Sequence, residues 1–99
     1  MPKWNEYKEL ARSRGSLAFE LYVVESSPIV APEEMMKKLP EHMAYQGQME
    51  SEGKLFMAGP TSDPSGEEMI GVGLIVYRAA NMVEARAIAD NDPMHKGGI

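Results

Sequence analysis

The spacing of apolar residues along this chain switches repeatedly between a helical period and strict alternation, and each switch marks the edge of an element. At the front, Trp4, Tyr7 and Ala11 recur at helical spacing with Leu10 alongside, and Gly15 can stop the helix behind them. A short amphipathic helix is expected there. The stretch "SLAFELYVVES" then alternates, with Phe19, Leu21 and Val23 on one face and Ala18, Glu20, Tyr22 and Val24 on the other, which predicts a strand. After the Pro-rich "SSPIVAPEE", Met35, Leu39, Met43, Gln46 and Met49 follow a 3.6-residue period up to Gly53. Pro40 falls inside this run, so the helix is expected to kink there or to begin there.

"GKLFMAGP" reads as a short strand closed by Gly59-Pro60, and "TSDPSGEE" as the loop of a wide hairpin. In the next strand Ile70, Val72, Leu74 and Val76 alternate with Gly71, Gly73, Ile75 and Tyr77, so one face is aliphatic while the other begins with two bare positions that something can approach closely. The last helix opens at "NMVE", where Asn81 can cap and Glu84 can reach back to it, and Pro93 stops it after about Asn91. From the first strand onward the order is β-α-β-β-α. That is an α+β, ferredoxin-like plait with its final strand apparently missing, preceded by an extra N-terminal helix over residues 1–16. Helices covering one sheet face leave the other face apolar, and the expected solution is a homodimer packed sheet to sheet.

Composition narrows the chemistry. Ninety-nine residues with 43% hydrophobic and 25% charged content suit one soluble domain, and a net charge of -5 repels nucleic acid. No apolar run approaches the roughly 20 residues that cross a bilayer, and the first ten residues lack a signal-peptide core, so no membrane partner and a cytoplasmic location are expected. Without cysteine there are no disulfides, thiolate nucleophiles or Cys-based zinc sites. Histidine, carboxylate, hydroxyl and lysine chemistry remain.

The segments "PEHMAYQGQMESEGKLFMAGP" and "GVGLIVYRAANMVEARAIADNDPMHKGG" together resemble the YCII-related family of small dimeric α+β barrel proteins. Three motifs carry the likeness: His-x-x-Tyr at His42 to Tyr45, Gly-x-Leu-x-x-Ala-Gly-Pro at Gly53 to Pro60, and Ala-x-x-Asp-Pro at Ala89 to Pro93 before a Gly-rich turn. The resemblance covers residues 17–99 and implies a ferredoxin-like domain whose active site pairs a histidine with an aspartate, at positions matching His42 and Asp92. It also implies small-molecule chemistry of the kinds found in this superfamily: dehydrochlorination of a chlorinated hydroxyhydroquinone, isomerisation of muconolactone, and monooxygenation. Two departures stand out. The family continues past the glycines into another strand, whereas this sequence ends at Ile99, and the helix containing Trp4 is additional. The strand from 17 to 25 would then keep an open edge unless the N-terminal segment or a partner covers it.

An imidazole can move a proton near neutral pH once a carboxylate fixes its tautomer, and Asp92 is suited to that task. Its place before Pro93 favours extended backbone, which should turn the side chain away from local capping. The plain alternative for His42 is a helix-face histidine bonded to a carbonyl, and for Asp92 a turn residue before proline. Tyr45, one turn after His42, can offer its hydroxyl to a bound oxygen or simply pack. Gly59, Pro60 and Gly73 can let a flat ligand lie against backbone, although bulges and turns use the same residues.

Several features are set aside. His42, Asp92 and His95 lack metal-motif spacing, and His95 is expected to be exposed in its terminal turn. Met35, Met43 and Met49 recur at core spacing, where thioethers usually fill gaps. Ser26 and Ser27 precede a proline without a nucleophile elbow. The sequence therefore predicts a cofactor-independent and metal-independent lyase or isomerase, dehydrochlorinase-like or muconolactone-isomerase-like, with His42 and Asp92 as its dyad. The alternative is a non-catalytic small-molecule binding or accessory dimer, or a dimerisation module alone.

Overall fold

Strand β3 (Met69–Tyr77) lies at the centre of a three-stranded antiparallel sheet, between β1 (Tyr22–Ser26) and β2 (Leu55–Ser62), in the order β1-β3-β2. This computed structural model describes residues 1–15 and 20–96. The strand expected from 16 to 26 is present over its second half, and residues 16–19 and 97–99 lie outside the described part. Helix α1 (Trp4–Ser13) precedes the sheet, α2 (Pro32–Ser51) joins β1 to β2, and α3 (Met82–Asp90) and α4 (Pro93–Lys96) follow β3. Lys8 of α1 pairs with Glu20, whose carboxyl is held below the usual range by that lysine and by the Tyr22 hydroxyl. The extra helix is thereby tied to the chain entering β1.

Alternation decides what the sheet buries. Val24 pairs with Ile75 and Tyr22 with Tyr77, so these side chains share the face on which the helices lie. Met49 from α2 and Ile88 from α3 close over Ile75 and Tyr77, with Tyr45, Leu55 and Val24 packed at the margin. The opposite face keeps Val23 65% and Met57 55% exposed on either side of Val76. Among the described residues, no helix is long and apolar enough to cross a membrane.

Several element ends follow the sequence signals. Gly53 sits at φ 74°, and the amides of Gly53 and Lys54 reach back to the carbonyls of Glu50 and Met49, closing α2 with the left-handed turn that glycine allows. Asn81 accepts from the Glu84 amide at 2.9 Å, a cap of the kind that contributes about 1 kcal/mol.

Three expectations need correction. Pro40 does not start α2, because Pro32 already occupies the first turn with Glu33 and Glu34, and the helix runs through position 40. The carbonyl that Pro40 leaves without an amide belongs to Met36, a residue 63% exposed, so water can replace the lost bond. Gly59-Pro60 does not close β2, which continues to Ser62; proline is tolerated because β2 is an edge strand, and the register shifts just after it. Finally, Pro93 is not simply a stop. It opens α4, a four-residue helix that periodicity could not reveal.

Tyr77 is fully buried, and among the described residues its hydroxyl has no hydrogen-bond partner. Burial pushes its ionisation above the ordinary 10.0, with the nearby Asp92 and Tyr45 adding to the shift. A phenol whose folded pKa is raised contributes stability that is intact below the unfolded value and is lost as pH climbs toward the folded one. Tyr77→Phe should therefore match wild type to within about 0.5 kcal/mol at neutral pH, since no hydrogen bond is lost, and should unfold less readily above pH 10.0. Denaturant melts across that range check both halves, and an equally steep alkaline decline in the variant would refute the second.

Candidate active site

His42 lies in the middle of α2, one turn after Leu39 and one turn before Tyr45. Its side chain is 14% exposed, and its Nδ1–H donates to both carboxylate oxygens of Asp92, at 2.7 Å to Oδ2 and 2.9 Å to Oδ1. A carboxylate can only accept from it, so Nδ1 carries the hydrogen and Nε2 holds the lone pair. Among the described residues nothing bonds to Nε2. That nitrogen is the atom free to exchange a proton with a ligand.

Asp92 is fully buried. Besides His42 it accepts the Met94 amide on Oδ1 at 2.9 Å, while its own carbonyl takes the Lys96 amide at 2.9 Å. Asp92 is thus the N-cap of α4, contrary to the expectation that the following proline would steer it away from capping. The two roles coexist because a carboxylate has about four acceptor sites, enough to cap a helix and hold an imidazole together.

His42 stands at the wall of a hollow of about 440 Å³ on the helix side of the sheet, with Asp92 buried behind it. Met35, Leu39 and Met43 of α2 form one side, Met94 of α4 contributes to the lining, and Gly59, Pro60, Gly71 and Gly73 lie along the strands beneath. Glycine matters at position 71, where φ is +80° and an added Cβ would come within 3.6 Å of Pro28 Cγ. Pro28 lies over Gly71 alone, and a Cβ added at Gly73 would meet only the Gly59 carbonyl oxygen, at 3.9 Å. Among the described residues, the polar side chains at the hollow are those of Ser26, His42 and Gln46, and no Asp, Glu, Lys or Arg lines it.

Of the residues expected at the site, His42 and Asp92 come together, and Gly59, Pro60 and Gly73 line the hollow. Tyr45 does not. Its hydroxyl donates to the Ile88 carbonyl at 2.6 Å, and its ring packs on the core between α2 and α3. Burial first, then the charge of Asp92, raises its ionisation above the ordinary phenol value. Ser26, Gln46, Met69 and Met94 were not singled out as lining residues. His95, expected in solvent, is partly buried, with Nε2 2.8 Å from Ser26 Oγ and Nδ1 2.6 Å from the Ala89 carbonyl. The signal for it was its place three residues after Asp92, which puts both on one helical turn if that turn forms. A second hollow of about 540 Å³ runs along β1 and α3 and includes Trp4, Arg86 and His95, but neither member of the dyad.

Sheet and helix order define a small ferredoxin-like α+β protein, with a histidine bonded to a buried aspartate beside an apolar hollow. Residues 18–99 match the model of the YCII-related domain, and the chain belongs to that family. A solved structure shares the fold: the 5-chloro-2-hydroxyhydroquinone dehydrochlorinase of Burkholderia phenoliruptrix AC1100, in complex with 2,5-dihydroxybenzoquinone, superposes with a TM-score of 0.56. It is 19% identical, over 81% of this chain and 84% of that one. Comparison with curated proteins finds no match.

Removing the carboxylate would strand two buried donors at once, the imidazole Nδ1–H and the Met94 amide. Asp92→Ala should accordingly lose about 3 kcal/mol of stability, and Asp92→Asn clearly less, because its amide oxygen can still accept. Urea unfolding measures both, and a loss below about 1 kcal/mol for Asp92→Ala would show that the pair does not hold α4 in place.

Proposed function

We propose that this protein is a small-molecule lyase or isomerase in which His42 Nε2 moves a proton as general acid or base, while Asp92 fixes the tautomer and aim of the ring. The observation that carries this reading is the 2.7 Å bond between His42 Nδ1 and a fully buried carboxylate, made at the wall of an apolar hollow. A buried carboxylate on one ring nitrogen, with the other nitrogen unbonded among the described residues, suits proton abstraction beside a carbonyl. The base takes the proton, and the electron pair left behind either accepts a proton at another position, giving an isomer, or expels chloride, giving elimination. Neither outcome requires a metal or a redox group.

The lining separates the two forms of the proposal. A lactone acid would bring a carboxylate into a hollow where the described residues include no lysine or arginine to offset the loss of its hydration. An uncharged hydroxylated ring meets methionine sulfur, glycine backbone and two or three hydrogen-bonding side chains. The dehydrochlorinase-like form is favoured. The similar fold of a dehydrochlorinase bound to a dihydroxybenzoquinone supports the same direction, as an analogy of fold.

The exposed sheet face supports a second part of the proposal. Val23 and Met57, 65% and 55% exposed, flank the buried Val76 on the face away from the helices, and a second copy packed sheet to sheet would bury them. Light scattering at micromolar concentration should return twice the chain mass, and a monomer would rule this packing out.

Turnover is best sought with chlorinated hydroquinols, followed by loss of substrate absorbance and release of chloride, and with cyclic enolisable ketones, followed by deuterium uptake from solvent. His42→Gln should lower kcat by about 100-fold or more, and Asp92→Asn should lower it as well by leaving the ring without its anionic acceptor. Equal turnover in wild type and His42→Gln would end the catalytic proposal. Tight binding with no turnover by any of them would leave a binding or accessory role.

A further inference from the structure

A second imidazole reaches the same hollow by way of a hydroxyl. Ser26 ends β1 opposite Gly73, so its side chain rises on the helix face of the sheet and lines the cavity that contains His42. Its Oγ is 2.8 Å from His95 Nε2, across 69 residues of chain. The other ring nitrogen of His95 is 2.6 Å from the Ala89 carbonyl oxygen. A carbonyl oxygen can only accept, so Nδ1 carries the hydrogen, and in the neutral ring Nε2 is then an acceptor. The Ser26 hydroxyl therefore donates its proton toward His95 and keeps two lone pairs on Oγ for whatever occupies the hollow.

The two histidines are thus held in the same tautomer by different means, His42 by a carboxylate and His95 by a backbone carbonyl. One presents its Nε2 directly, and the other presents it through a serine. Short helix α4 sets both: Asp92 at its start grips His42, and His95 on the same turn reaches back to β1.

We propose that Ser26, with His95 behind it, forms a second proton-transfer couple on this cavity and acts on a hydroxyl of the bound molecule. The inference rests on the cavity reading above and deepens it. The ligand hydroxyl donates to Ser26 Oγ. Its proton passes to that oxygen as the serine's own proton passes to His95 Nε2, leaving a ligand oxyanion, an intact serine and an imidazolium. Reversal returns the proton. Ser26 is the group that touches the ligand, and His95 is a positioning residue that acts through it. Substrates of the site should then carry at least one ionisable hydroxyl as well as the position that His42 addresses.

The test uses 4-nitrophenol, a neutral ring whose hydroxyl loses its proton near neutral pH and whose phenolate absorbs in the visible. Titrated into the full-length protein slightly below neutral pH, bound probe should show the phenolate band in wild type and lose it in Ser26→Ala and His95→Gln. Ser26→Thr, which keeps the hydroxyl, should restore it. In His42→Gln the band should persist. A bound probe whose spectrum ignores Ser26 and His95, or depends on His42 alone, would overturn the inference and leave the His42–Asp92 reading standing. No binding by wild type at millimolar probe would instead sink the cavity reading and this inference with it. Independently of any ligand, the ¹⁵N spectrum of histidine in the free protein should show His95 protonated at Nδ1, and the opposite tautomer would also overturn the proposal.

Discussion

The buried carboxylate of Asp92 is the constraint on which the rest of this structure turns. It joins a helix from the middle of the chain to a four-residue helix near its end, and it does so with two donors, an imidazole N–H and a backbone amide. A carboxylate taken out of water must find such donors or be strongly disfavoured. Both partners are therefore fixed as a condition of folding, and the ring of His42 has its orientation set before any ligand arrives. The interaction that closes α4 over the sheet also aims the proton-handling nitrogen, so structure and proposed chemistry share one group.

The hollow has a complementary character. Four of the residues lining it are methionines, Met35, Met43, Met69 and Met94, whose unbranched thioethers adapt to irregular shapes and present polarisable sulfur. Glycines in the strands beneath remove the side chains that would fill the space. A surface of this kind recognises shape and polarisability, and leaves discrimination between ligands to the few hydrogen-bonding groups at its wall.

Much of this was legible in the sequence. Period and capping signals placed all three strands and the three longer helices, because alternation at Ile70 to Tyr77, the Asn81 cap and Gly53 each report a purely local preference. The pairing of His42 with Asp92 was accessible through family likeness and not through pattern, since no local rule spans 50 residues. What escaped depended on tertiary context. Pro60 is acceptable within a strand because that strand is at an edge, and Pro40 within a helix because the carbonyl it strands faces water. Tyr45 turned to packing because the Ile88 carbonyl was within reach. His95 was expected in solvent because a four-residue helix has too few turns to show a period, and its bond to Ser26 spans 69 residues.

Pro40 carries one more consequence. A helix missing one rung of its ladder is mechanically weakest at that rung, and here the gap falls between the turns bearing Met35 and Leu39 and the turn bearing His42. The part of the cavity wall formed by Met35 and Leu39 therefore lies on a softer stretch of helix than the part formed by His42 and Met43, which Asp92 anchors. Under the proposed function, a guest would meet one yielding wall and one pinned in place.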